Sequence, residues 1–142
     1  MSVFEIESEI NVMREIKNQK LKGFPMLIDT GDAYLNNTLA GRCIIQTELG
    51  NSMSEEQGKY LNRTLLLQKV IQIGVSITNS LKGLHSLGYV HRDIKADNVL
   101  LSLERDLIDE HTNGYSSVSL IDFGKTEKYQ KENGAHVEDE FT

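Results

Sequence analysis

The chain has one cysteine, Cys43, one proline, Pro25, and no tryptophan in 142 residues. A single cysteine excludes an intrachain disulfide and a zinc cage built on cysteine ligands. Cys43 lies in the apolar run Cys43-Ile44-Ile45 and reads as a small buried residue, not a reactive thiol. No apolar run approaches the ~18 residues that a membrane span needs, and the start lacks the layout of a secretory signal. The expectation is a soluble intracellular chain, cytoplasmic or nuclear or both, with no membrane partner. Excess positive charge is missing too. Lys and Arg number 15 against 21 Asp and Glu, a net charge of −6, which argues against a nucleic-acid-binding surface. A small polyanion is not excluded, because metal ions and a few local cations can carry its charge. Internal repeats and low-complexity segments are absent.

What is present suits one domain or part of a larger one. Hydrophobic content of 39% and charged content of 25% are near globular averages. Ser2 with Glu5 fits a capping box, and Val3, Ile6, Ile10 and Met13 recur at helical spacing, so a helix is predicted to about Asn18. Gly23 and Pro25 punctuate its exit. Met26–Ile28 opens a strand running loosely to Leu35. Asn36, Asn37 and Gly41 supply turn chemistry, and Arg42–Leu49 reads as a buried strand. Residues 51–62 form a short helix or a loop. With Thr64 as N-cap, Leu66, Val70, Ile73, Ile77, Leu81 and Leu84 make one apolar helical stripe that Gly88 stops. Val99–Leu101 and Ser116–Ile121 read as strands of a hairpin around a polar insertion, Ser102–Tyr115, with an Asn113-Gly114 turn cue. The tail, 125–142, has little apolar content and reads as a mobile loop.

Chemistry concentrates in two runs, His91-Arg92-Asp93-Ile94-Lys95-Ala96-Asp97-Asn98 and Asp122-Phe123-Gly124. Together they form a two-part phosphoryl-transfer signature. Mg²⁺ prefers oxygen ligands and takes only one or two carboxylates from protein. Asp122 offers one carboxylate, and Asn98 an amide oxygen without a second repulsive charge. Asp93 is placed to orient an attacking hydroxyl and accept its proton. Lys95, two residues on, can neutralise a transferring phosphoryl group. Taken singly, each Asp or Asn would be a turn or capping residue; the joint spacing is what points to catalysis. Asp97, His85 and His91 read as structural, His91 as a packing and hydrogen-bonding residue.

The two runs resemble eukaryotic protein kinases, and Lys95 resembles the serine/threonine branch. Ile6–Ile16, Phe24–Asp32, Thr47–Gly50 and Leu120–Tyr129 are similar to the casein-kinase-I-like group. The resemblance implies an α+β fold, a partial kinase domain spanning 1–142. Residues 1–47 would supply the αC helix with the fourth and fifth N-lobe strands. Residues 48–51 would be the hinge, and 52–142 the start of the C-lobe. That start comprises αD, αE, the catalytic loop, and the seventh and eighth strands as a hairpin ending in the activation segment. It implies ATP and Mg²⁺ as cofactors and protein substrates as partners. Asp93, Lys95 and Asn98 are then catalytic, and Asn98 and Asp122 hold metal. Thr47 is the gatekeeper, Glu48 and Leu49 begin the adenine-binding hinge, and Glu7 is the αC glutamate that pairs with the ATP-binding lysine. That lysine and the Gly-rich loop precede αC in the family and do not occur in this sequence, nor does the APE motif. Feeble or no activity is therefore expected of the chain alone.

Several departures stand out. Ala96 replaces a frequent proline, the hairpin insertion is long, and Asn11, one turn after Glu7, stands where an apolar residue is usual. Arg92 either binds an activation-loop phosphate, with Thr126 the nearest hydroxyl, or serves as an ion-pair partner within the fold. Lys125, Lys128 and Lys131 form a loose basic cluster, an anion site or a solvated face. The alternative function is a truncated, non-catalytic interaction or decoy protein, acting through apolar surface its missing segments should cover. A small-molecule kinase of similar fold, such as an aminoglycoside-phosphotransferase-like enzyme, shares the Asp and Asn but typically not the full signature.

Overall fold

The computed structural model describes residues 3–59, 67–101, 118–130 and 136, with residues 3–5 and 68 described by backbone alone. The Ser2 cap, Thr64, Leu66, the insertion with Asn113-Gly114, and Lys131 lie outside the described residues. Among the described residues the elements are α1 (Val3–Asn18), β1 (Leu27–Leu35), β2 (Thr38–Gln46), α2 (Met53–Gly58), α3 (Leu67–Ser86), β3 (Tyr89–Val90), a 3₁₀ turn (Ala96–Asn98), β4 (Val99–Leu101), β5 (Val118–Leu120) and β6 (Glu127–Lys128). Three antiparallel two-stranded pairs result: β1 with β2, β3 with β6, and β4 with β5.

Helix α1 buries Ile10, Val12, Met13 and Ile16. Asn36 and Asn37 both adopt left-handed backbone, φ 49° and 62°, in a two-residue connection between Leu35 and its partner Thr38. Asparagine tolerates that region better than most residues, and the turn twists in the sense the strands need. The strand β2 therefore begins at Thr38 rather than Arg42, and it is half-buried at best instead of fully buried. The reason is geometric. A two-stranded ribbon rests one face on α1 and leaves the other open, exposing Met26, Ile28, Tyr34, Leu35, Leu39 and Ile45. Cys43 is likewise half-buried, in register with Gly31.

Two apolar clusters hold the chain together. One joins Val12, Met13 and Ile16 of α1 to Leu27, Leu84, Tyr89 and Phe123. The other joins Met53, Ile73, Val99, Val118 and Leu120. Phe24 packs against both and meets the Phe123 ring at 5.8 Å. Gly23 sits at this junction with φ 84°, and a Cβ there would meet Ser80 Oγ, so only glycine fits. Helix α3 supplies one long stripe, of which Ile73 and Leu84 are buried while Val70 stays exposed. Gly88, φ 80°, ends the helix in a left-handed cap, its N–H donating to the His85 carbonyl at 2.9 Å.

Residues 125–130 are not the loose loop their composition suggests. Val90 and Tyr89 pair with Glu127 and Lys128, Tyr129 N–H donates to the Gly88 carbonyl at 2.8 Å, and Tyr129 Oη donates to the His85 carbonyl at 3.0 Å. Backbone pairing, not apolar burial, orders this stretch. Among the described residues, no helix is long and apolar enough to cross a membrane.

Leu84 is fully buried between the α1 cluster and β3. Leu84→Ala is expected to cost ~2–5 kcal/mol in urea unfolding, whereas Val75→Ala, on the exposed face of α3, should stay within ~0.5 kcal/mol.

Candidate active site

The open end of the β4–β5 hairpin positions the two motifs. Val99 pairs with Leu120, and Ile121 N–H donates to the Asn98 carbonyl at 3.0 Å. Asn98, entering β4, and Asp122, leaving β5, therefore emerge at the same end. Asp93 stands at the centre of the polar network. Its Oδ2 accepts from Lys95 Nζ at 2.9 Å and from Asn98 Nδ2 at 3.2 Å, while its Oδ1 faces Lys125 Nζ at 3.3 Å. Asn98 Nδ2 also donates to the Asp93 carbonyl at 2.9 Å, closing the loop on itself. The ammonium of Lys95, with Lys125 second, holds the Asp93 carboxyl down to about 2. Asp93 in turn raises the Lys95 ammonium. Asp93 is thus a fixed anion at neutral pH, better suited to aim a hydroxyl than to take its proton early.

His91 ties the motifs together. Its ring is buried, with Nε2 3.1 Å from the Ile121 carbonyl and Nδ1 accepting from Asp93 N–H at 3.3 Å. A carbonyl on one nitrogen and an N–H on the other fit the neutral Nε2–H tautomer. Burial lowers its pKa, only partly opposed by the Ile121 carbonyl. The ring packs on Phe123 at 5.5 Å, and the His91 carbonyl faces Thr126 Oγ1 at 3.5 Å. Both motifs also carry a non-glycine residue in left-handed backbone, Arg92 at φ 67° and Asp122 at φ 68°. Such conformers cost on the order of 1–3 kcal/mol and persist where surroundings impose them. Here the His91–Ile121 bond precedes Asp122, the buried Phe123 follows it, and Gly124 N–H donates to Asp122 Oδ1 at 3.3 Å.

The helix α1 reaches the site through Glu9, a residue the sequence reading did not single out. Glu9 Oε1 accepts from the Phe123 amide at 3.2 Å. Burial raises its pKa, the amide opposes that shift, and Asp122 adds to it. Glu7 lies elsewhere: its Oε1 is 2.9 Å from Arg42 Nε, and Arg42 also pairs with Asp32 at 2.8 Å. The two glutamates share residue type and helix, so spacing alone does not separate them. The residue four positions on differs between them, exposed Asn11 after Glu7 and buried Met13 after Glu9.

Thr47 is pinned to Met26, the residue just ahead of β1. Its N–H donates to the Met26 carbonyl and its Oγ1 accepts from Met26 N–H, both at 3.0 Å. Glu48 is exposed and Leu49 half-buried. The segment then docks on β4: Gly50 N–H donates to the Leu101 carbonyl at 2.8 Å, and Leu101 N–H to the Asn51 carbonyl at 2.9 Å. Ser52 caps α2 in a capping box with Glu55. Arg92 pairs with Glu127, and Thr126 is buried. Of the two readings of Arg92, the structure therefore has the ion pair within the fold, and the Thr126 hydroxyl is not presented to solvent.

The donor set fits a hard cation. Asn98 donates through its amide nitrogen to Asp93, so its Oδ1 is the atom it could offer a cation, and Asp122 emerges at the same hairpin end. Among the described residues, no three His, Cys, Asp or Glu side chains converge as a metal cage. Mg²⁺ held by one carboxylate, one amide oxygen and substrate phosphates requires none.

A family model described as a protein kinase domain matches residues 2–140. The chain is 37% identical to the B1 kinase of vaccinia virus over 76 residues, 54% of this chain and 22% of that protein. It is 32% identical to a probable serine/threonine-protein kinase of Dictyostelium discoideum over 81 residues, 57% of this chain and 15% of the relative. With a candidate serine/threonine-protein kinase of Caenorhabditis elegans the identity is 28% over 136 residues, 91% of this chain and 36% of the relative. The chain thus spans well under half the length of these relatives.

Two measurements check the site's construction. Glu9→Ala strands the Phe123 amide and should cost ~1–3 kcal/mol in chemical denaturation; Glu7→Ala should cost less, and Glu9→Gln should cost little. For His91, the unfolded imidazole takes up a proton near pH 6.5 and the buried one only at lower pH. Stability should then fall as pH drops below about 6.5 toward the folded value. His91→Phe should remove that part of the melting-temperature slope.

Proposed function

The chain belongs to the protein kinase domain family, and we propose that it carries the catalytic centre of a serine/threonine kinase, transferring the γ-phosphate of ATP to protein hydroxyls. The carrying observation is the bonded set Asp93–Lys95–Asn98, standing at the same hairpin end as Asp122. Asp93 orients the acceptor hydroxyl and takes its proton as the new P–O bond forms, while the bond from the γ-phosphorus to the bridging oxygen breaks and ADP leaves. Lys95, paired with Asp93 at rest, is shared with the transferring phosphoryl group. Asn98 and Asp122 would hold Mg²⁺, whose positive charge would offset the negative charge of the ATP phosphates.

The finer assignments follow the same reading. Residues 1–47 form part of the N-lobe, 48–51 the hinge, and 52–142 the start of the C-lobe. Thr47 is the gatekeeper, and the backbone of Glu48 and Leu49 receives adenine. Glu9, through its contact with the Phe123 amide, takes the place in αC first given to Glu7. The casein-kinase-I-like likeness rests on Ile6–Ile16, Phe24–Asp32, Thr47–Gly50 and Leu120–Tyr129.

The test is incorporation of γ-phosphate from Mg·ATP into a protein acceptor. Slow transfer is expected, abolished by EDTA and reduced about 10²-fold or more by Asp93→Asn. Asp122→Ala should remove the metal dependence of ATP binding, read by calorimetry. Transfer that persists undiminished in Asp93→Asn would overturn the reading. Failure to bind Mg·ATP at all would turn it toward the non-catalytic interaction protein.

A further inference from the structure

Lys125, the first residue after Gly124, belongs to no part of the catalytic set described above. Yet it supplies the second cation on the catalytic carboxylate. The two oxygens of Asp93 are unequally engaged. Oδ2 already accepts from Lys95 and Asn98, at 2.9 and 3.2 Å. Oδ1 has Lys125 Nζ at 3.3 Å. Oδ1 is therefore the oxygen available to an acceptor hydroxyl, and an ammonium rests on it.

We propose that Lys125 is a positioning residue for phosphoryl transfer: it occupies Asp93 Oδ1 between turnovers and must be displaced by the acceptor hydroxyl. The inference rests on the kinase reading. Three features fit this role. Lys95 and Asn98 both bond Oδ2, so Oδ1 is the oxygen they leave over, and Lys125 caps it when the acceptor is away. The Lys125 side chain is 63% exposed, so its ammonium can withdraw into water at small cost. Its backbone is fixed meanwhile, between the buried Phe123 and the buried Thr126, whose amide donates to the Phe123 carbonyl at 3.0 Å. The arm swings from a rigid base and returns to the same oxygen. Lys95 cannot do this work, because it holds the other oxygen and is needed at the phosphoryl group.

Two measurements on the full chain test this. The first needs no activity: side-chain ammonium NMR of ¹⁵N-lysine-labelled protein. The Lys125 signal, assigned through Lys125→Met, should shift in Asp93→Asn; an unmoved signal overturns the proposal. The second is steady-state transfer from Mg·ATP to dephosphorylated casein as acceptor. Lys125→Met keeps the aliphatic arm and removes the charge, and should lower the acceptor KM roughly two- to fivefold, the range of an exposed ion pair, with the KM for ATP unchanged. Lys125→Arg should restore the parent KM. An unchanged or raised acceptor KM, or a raised KM for ATP, overturns the proposal and places Lys125 elsewhere. If parent and variants bind Mg·ATP but none transfers phosphate, the acceptor role falls. If none binds it, the kinase reading falls too, and a shifted ammonium signal then reports a structural ion pair alone.

Discussion

A buried, uncharged imidazole joins the two halves of the site. His91 holds the Ile121 carbonyl with one ring nitrogen and the Asp93 amide with the other, while its face packs on Phe123. The left-handed turns at Arg92 and Asp122 lie immediately beyond these bonds. Neither turn would be chosen by its own residue. Each is imposed because the chain on both sides is anchored, and His91 is an anchor common to the two. The ring must stay neutral to do this, since a second N–H would oppose the Asp93 amide. Burial enforces that neutrality more strongly than the neighbouring carboxylates resist it.

The chemistry of the site then rests on charges placed around that scaffold. Asp93 lies between two lysines and an amide, all reached within a few residues of the motifs. A carboxyl held near 2 makes a weak base. That suits a reaction in which the phosphoryl group is loosely bonded in the transition state and the hydroxyl keeps its proton until late. A chain of net charge −6 can still offer a polyanion a local pair of cations here, which is why overall charge says little about what the site receives.

Much of this was legible in residue order. The periodicities of α1 and α3 and the Gly88 stop match the elements found, and the two motifs proved adjacent because the strands between them pair as a hairpin. What escaped has physical reasons. The stretch from Thr126 to Tyr129 is ordered by backbone pairing with Tyr89 and Val90 and by the Tyr129 hydroxyl, and neither leaves an apolar pattern to read. The exposure of the β1–β2 ribbon escaped because Ile45 and Cys43 look like core residues, and residue type alone does not show that Ile45 is exposed and Cys43 half-buried. Lys125 was visible only as part of a basic run; its contact with Asp93 depends on the turn at Gly124.

Glu7 and Glu9 show how little residue order alone says about where a side chain on a helix is directed. Both lie on α1, two residues apart, which puts them on different sides of a 3.6-residue turn. One turn after Glu7 comes the exposed Asn11. With Glu9, the residue one turn on is Met13, which is buried against the same cluster as Phe123. The helix then grips the Asp122–Gly124 segment twice, by a carboxylate on the Phe123 amide and by packing near the Phe123 ring. These two holds fail together if α1 rotates or withdraws. The conformation of Asp122, at the open end of the hairpin, therefore depends on the position of α1 as well as on its own motif.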